Sequence, residues 1–192
     1  MIRGLTDKKN LIIDAALRLV AKKNSFDITI REIASEAQVN VAAINYYFKS
    51  KKQLFEEMEG FFMENFKDAF TPLEDTSLNC SDRLFNWLAK AIEYANHYPG
   101  ILVYLKDKFK NPNHSTFDNI IRKGLLIKLA DIKHLLFAVV QPKEEDKDKL
   151  LMCFSACVLF PFLVNNKELG TPENQDEHIE YIKNIINKFK ER

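Results

Sequence analysis

The residues from Asn40 to Lys51, NVAAINYYFKSK, carry side chains suited to contact rather than to bond-making. If Val41–Phe48 is helical, Ile44 and Phe48 share a face that continues from Val39, and Ala42, Ala43, Asn45 and Tyr46 are left on the other. A helix that meets only water usually carries charge on its outer face, so small residues there fit a helix pressed against something. The DNA major groove admits such a slim helix. Ala42 and Ala43 would let the backbone approach thymine methyls, and the Asn45 amide matches the N6 and N7 edge of adenine. Tyr46, Tyr47, Lys49 and Lys51 can hold phosphates on either side, as can the amide-rich N-termini of helices opening at Thr29 and Ser50. The candidate contact set is Thr29, Asn40, Val41, Ala42, Ala43, Asn45, Tyr46, Tyr47, Lys49 and Lys51. A competing reading makes this stretch a plain connector between two core helices, with its tyrosines half-buried.

Three cap signals position this face. Thr29 with Glu32 is a capping box, so a helix begins near Ile30 and packs Ile33 and Ala34 inward. Asn40 is a good N-cap for the next helix. Ser50 with Gln53 is a second capping box, opening an amphipathic run through Leu54, Phe55, Met58, Phe61 and Phe62. Two short helices joined by a tight turn make a helix-turn-helix over 29–48. Ahead of it, a helix from about Asp7 to Lys23 presents Leu11, Ile12, Ala15, Ala16, Leu19 and Val20, and Phe26 and Ile28 plug the corner before Thr29. Residues 1–6 read as a disordered arm.

The segment from about Lys8 to Met63 resembles the DNA-binding domain of the TetR/AcrR family of bacterial transcriptional regulators. The resemblance rests on IIDAALRLVAKK, TIREIASEA, VNVAAINYYF and FKSKKQLFEEM and covers about a third of the chain. Gln38 stands where many members have a turn glycine, and Asn24 replaces a glycine at the end of the first helix. Val41 and Asn45 occupy positions where a basic residue and a tyrosine are frequent, so the base preference is the chain's own.

Composition agrees with a DNA reader. The chain has 192 residues, 46% hydrophobic and 29% charged, which is ordinary for a globular protein with a sizeable core. Its net charge of +1 hides an asymmetry: residues 1–55 hold ten Lys or Arg and five Asp or Glu, a balance of +5, which leaves −4 for the rest. Cys80, Cys153 and Cys157 are too few for a disulfide framework and fit a reducing cytoplasm. Cys153 and Cys157 share a helix face, which a redox or metal site would want, but their apolar surroundings favour buried small hydrophobes. MIRGLTDKKN lacks the apolar core of a signal peptide, and Leu150–Val164, interrupted by Pro161, is short for a membrane span. No glycine-rich phosphate loop, Gly-x-Ser-x-Gly elbow or HExxH occurs, so an enzyme, a cofactor and a metal all lack a motif.

With no alternating stretch to read as a strand, the expected fold is all-α, of about nine helices. A three-helix helix-turn-helix head, 1–63, is joined by a long fourth helix to a helical body, 64–192. The fourth helix should run from Lys51 to Phe70 and stop at Thr71-Pro72, with Gly60 a flexure or a close packing point. Further helices are expected at Ser81–Tyr98, ended by Pro99-Gly100; at Ile101–Lys110, ended by Asn111-Pro112; at Ser115–Val140; at Glu144–Asn165; and at Asn174–Lys190, after Gly170-Thr171-Pro172.

The resemblance implies more than the residues do. It implies a homodimer joined by the last two helices, for which Phe154, Val158, Phe162, Ile179, Ile182 and Ile186 are the candidate residues, reading a pseudo-palindromic operator in double-stranded DNA. It also implies a repressor released by a small apolar or aromatic effector, held among Phe62, Phe66, Trp87, Tyr94, Tyr98, Tyr104, Phe109 and Phe137. His97, His134 or Asn86 are candidates to choose that ligand. The rival is a body that binds a protein partner instead.

Overall fold

The computed structural model describes residues 7–98, 116–164 and 171–191, with Gly100, Leu102, Val103 and Lys106 between the first two ranges, and side chains at all of these except 62, 63, 65, 66 and 116–122. The arm 1–6, Pro99, the Asn111-Pro112 breaker, Gly170 and the candidates Tyr104 and Phe109 lie outside the described residues, as do the side chains of Phe62 and Phe66. Helices run over Lys8–Lys23 (α1), Ile30–Glu36 (α2), Val41–Tyr47 (α3), Lys51–Glu74 (α4), Cys80–His97 (α5), Thr116–Val140 (α6), Lys147–Val164 (α7) and Gln175–Lys190 (α8), with a 3-10 turn at Glu144–Asp146. No strand occurs among the described residues, and the fold is all-α.

The chain divides into two compact units. One draws on 1–68 and 97–111, the other on 69–96 and 112–192.

In the first unit, Asp7 caps α1, and Ile12, Ile13, Ala16, Leu17 and Val20 are sealed beneath it with Ile28, Ile33, Ile44, Phe48, Leu54 and Met58. Leu11, expected inside, is 43% exposed, while Ile13 and Leu17 take its place. A helix packed on more than one side buries more than a single stripe, which moves the boundary of the inner face by one residue. Gly100 is required where it stands, because a Cβ there would lie 2.7 Å from the carbonyl oxygen of Leu17. Phe61 meets Tyr98 edge to face at 5.4 Å.

Helix α4 does not stop at Thr71-Pro72; it carries Pro72 inside and ends at Glu74. Its last turn is anchored by the buried Leu73, whose carbonyl accepts from Nε of Arg83 at 3.0 Å, so an orphan acceptor at the helix end is met by α5. Gly60 is exposed, and a Cβ there would meet nothing within 4 Å, so it is not a packing glycine.

The second unit is built on α5–α8. Asn79 caps α5, accepting from the Asp82 amide at 2.9 Å, one residue earlier than the expected start. Leu84, Trp87, Leu88 and Ile92 of α5, Ile132 and Leu136 of α6, Leu150 and Phe154 of α7, and Ile182 and Ile186 of α8 are all buried in this unit. Trp87 lies between Phe70 and Phe154, at 6.1 and 6.4 Å. Asn174 caps α8 through the Glu177 amide at 3.0 Å. Gln175 ties the same end to α5, its amide donating to the Ala89 carbonyl at 2.9 Å.

Candidate nucleic-acid interface

The turn between α2 and α3 is set by hydrogen bonds at both ends. Val39 donates to Ala34 at 2.9 Å and Gln38 to Ser35 at 3.2 Å, the pair of bonds that closes a helix in a Schellman motif. The motif needs a left-handed residue, and Gln38 supplies it at φ 55°, without the freedom a glycine would have. Asn24 plays the same part after α1 at φ 48°. Helix α3 then opens on Asn40, whose side chain accepts from the Ala43 amide at 2.7 Å.

Burial phases α3. Ile44 is sealed at 0% exposure and Phe48 at 1%, which fixes the opposite side outward. Ala42 and Asn45 are exposed, Val41 is 38% and Tyr46 82% exposed, and Ala43 is half-buried. Tyr47 is half-buried and meets Tyr46 edge to face at 5.2 Å, so the two phenols leave the helix as a braced pair. Asn40 and Lys49 are exposed beside them. Of the sequence-derived contact set, Asn40, Val41, Ala42, Asn45, Tyr46 and Lys49 are thus exposed on α3 and its flanks, Ala43, Tyr47 and Lys51 are half-buried, and Thr29 is exposed at the start of α2.

The two flanking N-termini differ. At α2 the capping box is complete: the Thr29 side chain accepts from the Glu32 amide at 3.2 Å, and the Glu32 carboxylate takes the Thr29 amide at 2.8 Å and its hydroxyl at 2.9 Å. Lys23 binds the same carboxylate and, with the Thr29 bonds, holds its pKa down to about 2. A phosphate arriving at Thr29 therefore meets a seated anion. At α4 the first turn holds no acid. Ser50 accepts from the Gln53 amide at 3.1 Å, while Gln53 reaches past Ser50 to the amide of Lys49 at 3.1 Å. Lys51 sits 5.2 Å over the Phe55 ring, which fixes a cation beside that N-terminus. The site for an anion is better made at α4 than at α2. Arg31, exposed on α2 and engaged by no described side chain, extends the cationic rim; the sequence showed it facing water but gave no reason to select it.

Residues 12–58 match the family model described as bacterial regulatory proteins, tetR family. That segment is a TetR-type DNA-binding domain. Over 150 residues it is 26% identical to the "Probable HTH-type transcriptional regulator YttP" of Bacillus subtilis, covering 75% of this chain and 68% of that one. It is 40% identical over 50 residues to the HTH-type transcriptional regulator BetI of Agrobacterium fabrum, a match confined to 26% of this chain and 24% of that protein. The fold is shared with the ketosteroid transcriptional regulator KstR2 of Mycobacterium tuberculosis, at a TM-score of 0.76 over 96% of both chains and 15% identity. With this TetR-type head, the chain is a DNA-binding transcriptional regulator.

Trp87 and Tyr94 are buried in the second unit, and Tyr98 in the first. Phe137 is half-buried, with Lys133 and Lys147 at 5.5 and 5.8 Å from its ring, a surface cation arrangement. His97, His134 and Asn86 are all exposed. Phe154, Ile182 and Ile186 are sealed in the chain's own core, at 3%, 0% and 1% exposure, so they support the last two helices rather than face a partner; Val158, Phe162 and Ile179 are half-buried. The outward apolar residues of α7 are instead Met152, Leu159, Phe160 and Leu163, with Tyr181 exposed on α8. Between the two helices lies a groove of about 930 Å³ lined by Cys157, Phe160, Pro161, His178, Tyr181 and Ile185 among others. The cysteines are free and half-buried rather than sealed, and burial raises the thiol pKa of Cys157. Among the described residues, no helix is long and apolar enough to cross a membrane.

Proposed function

We propose that this TetR regulator is a homodimeric repressor that covers an inverted-repeat operator and leaves it when a small apolar or aromatic effector binds the body. The observation that carries the DNA part is the exposed, nearly uncharged face of α3: slim at Ala42 and Ala43, with the Asn45 amide at its centre and Tyr46, Lys49 and Lys51 at its edges. Asn45 reads a base; Val41, Ala42 and Ala43 touch base methyls; Asn40, Tyr46, Tyr47, Lys49 and Lys51 hold phosphates. Thr29 contributes least, since Glu32 already occupies its N-terminus. The head comprises 1–63 and the body 64–192.

The dimer reading is supported by the exposed apolar face of α7, where Met152 and Leu163 are 70% and 68% exposed. Side chains of that size standing in water on one helix favour a second surface, and a two-fold copy is the one that would present two α3 helices to DNA. The effector reading is supported by Trp87, whose buried Nε1 has no acceptor among the described residues, inside an aromatic stack. A flat apolar ligand with one acceptor would satisfy it. The comparisons lend no support to a protein partner in place of the effector. Work in a reducing cytoplasm fits the free cysteines.

Selection of bound fragments from random duplex DNA tests the reading. The expected result is an enriched inverted repeat with half-sites about one helical turn apart. Retention that fades with salt and enriches no sequence would sink it.

A further inference from the structure

Pro161 stands inside α7, which continues to Val164. A proline there has no N–H to give, so the carbonyl four residues earlier, that of Cys157, loses its helical donor. Leaving a backbone acceptor unmet away from water is costly. Here the donor comes from the neighbouring helix: Nε2 of His178 on α8 lies 2.7 Å from the Cys157 oxygen. Because a carbonyl only accepts, that nitrogen bears the hydrogen, and Nδ1 is the basic one in the neutral ring. His178 is 3% exposed, and its ring packs on Phe162 with centroids 5.4 Å apart. Cys157, Pro161 and His178 all line the groove between α7 and α8.

We propose that His178 is a positioning residue for the self-association surface: from α8 it supplies the backbone hydrogen bond that Pro161 removes from α7, and so fixes the last turn of α7, 161–164, against its neighbour. The exposed Leu163 and Val164 ride on that turn. A terminal turn that lacks its inner bond frays, and a frayed turn must be ordered again each time a partner docks on it. The hydrogen-bond replacement stands on the geometry alone. Its consequence for association rests on the dimer reading.

A double-mutant cycle in the full chain tests both parts. His178→Phe keeps a ring against Phe162 and removes the donor; Pro161→Ala returns an N–H to α7. In the natural background, His178→Phe should lower the thermal unfolding midpoint by roughly 2–10 °C, the range for an orphaned acceptor in a chain of this size. It should also weaken self-association, read by sedimentation equilibrium, by roughly tenfold. With Pro161→Ala already in place, the same change should cost much less than half as much by either measure. Equal costs in the two backgrounds would overturn the replacement, because the lost ring contacts are common to both. Coupled unfolding shifts with unchanged association of a dimeric chain would overturn the positioning role. A natural chain that stays monomeric at all concentrations would overturn that role and the dimer reading together, while the unfolding cycle still decides the hydrogen bond.

Discussion

Asn45→Ala is the sharpest perturbation of the reading face. Asn45 is exposed and engages no described side chain, so its removal leaves the head's packing intact. Alanine is the better helix former by about 0.7 kcal/mol or less, so α3 should if anything gain stability. A bidentate amide pair with adenine discriminates by about 1–3 kcal/mol, and a two-fold dimer makes it twice, which gives about 2–6 kcal/mol on the full operator. That range is a loss of roughly 30-fold to 10⁴-fold in affinity. Anisotropy titrations at one salt concentration, on the selected operator and on duplexes altered at each position in turn, measure it. The natural protein should penalise changes at one symmetric base pair that the variant no longer distinguishes, with the other positions read as before. If the variant instead loses the same factor on every duplex, unrelated ones included, Asn45 is a backbone contact and the base-reading argument fails.

Lys51→Ala should weaken all duplexes alike and flatten the salt dependence by about one phosphate per half-site; an altered base preference would contradict its assignment to phosphate. Gln38→Gly should relieve the left-handed strain at φ 55°. After glycine's larger chain entropy is deducted, about 0.5–1 kcal/mol remains, which raises the unfolding midpoint by about 1–4 °C with DNA affinity unchanged. A lower midpoint would mean that the Gln38 side chain itself holds the turn. For His178, burial lowers the pKa, outweighing the raising effect of the bond to Cys157. The unfolded chain therefore takes up a proton first: the histidine's contribution is intact above about pH 6.5 and is lost as pH falls from there through the lower folded value. Unfolding midpoints measured from pH 8 to pH 5 should fall more steeply for the natural chain than for His178→Phe, and parallel slopes would refute the assignment.

What could be read from sequence is what is decided locally. Thr29, Asn40 and Ser50 each choose a helix start through atoms within four residues, and α2, α3 and α4 begin where those signals put them. The outward face of α3 was legible because Ile44 and Phe48 give it a phase. Helix α7 has no such phase. It is apolar nearly all round, so nothing in its pattern tells Phe154, which is sealed inside, from Met152 and Leu163, which stand in solvent. The end of α4 was misplaced because Pro72 reads as a stop, whereas Leu73 and Arg83 supply a tertiary anchor beyond it. His178 carried no local signal either. The sign was Pro161, seventeen residues earlier, which announces an acceptor in need of a donor without naming it.

The aromatic stack in the second unit has a practical consequence. Trp87 is the chain's single tryptophan and is 6% exposed between Phe70 of α4 and Phe154 of α7. Its emission therefore comes from the second unit with no indole background from the first, and helical circular dichroism sums over both. Followed together through a thermal ramp, the two signals report whether the units melt as one body or in sequence. Coincident curves mean a single cooperative transition; an ellipticity loss that precedes the shift in emission means that the DNA-reading head opens while the body still holds.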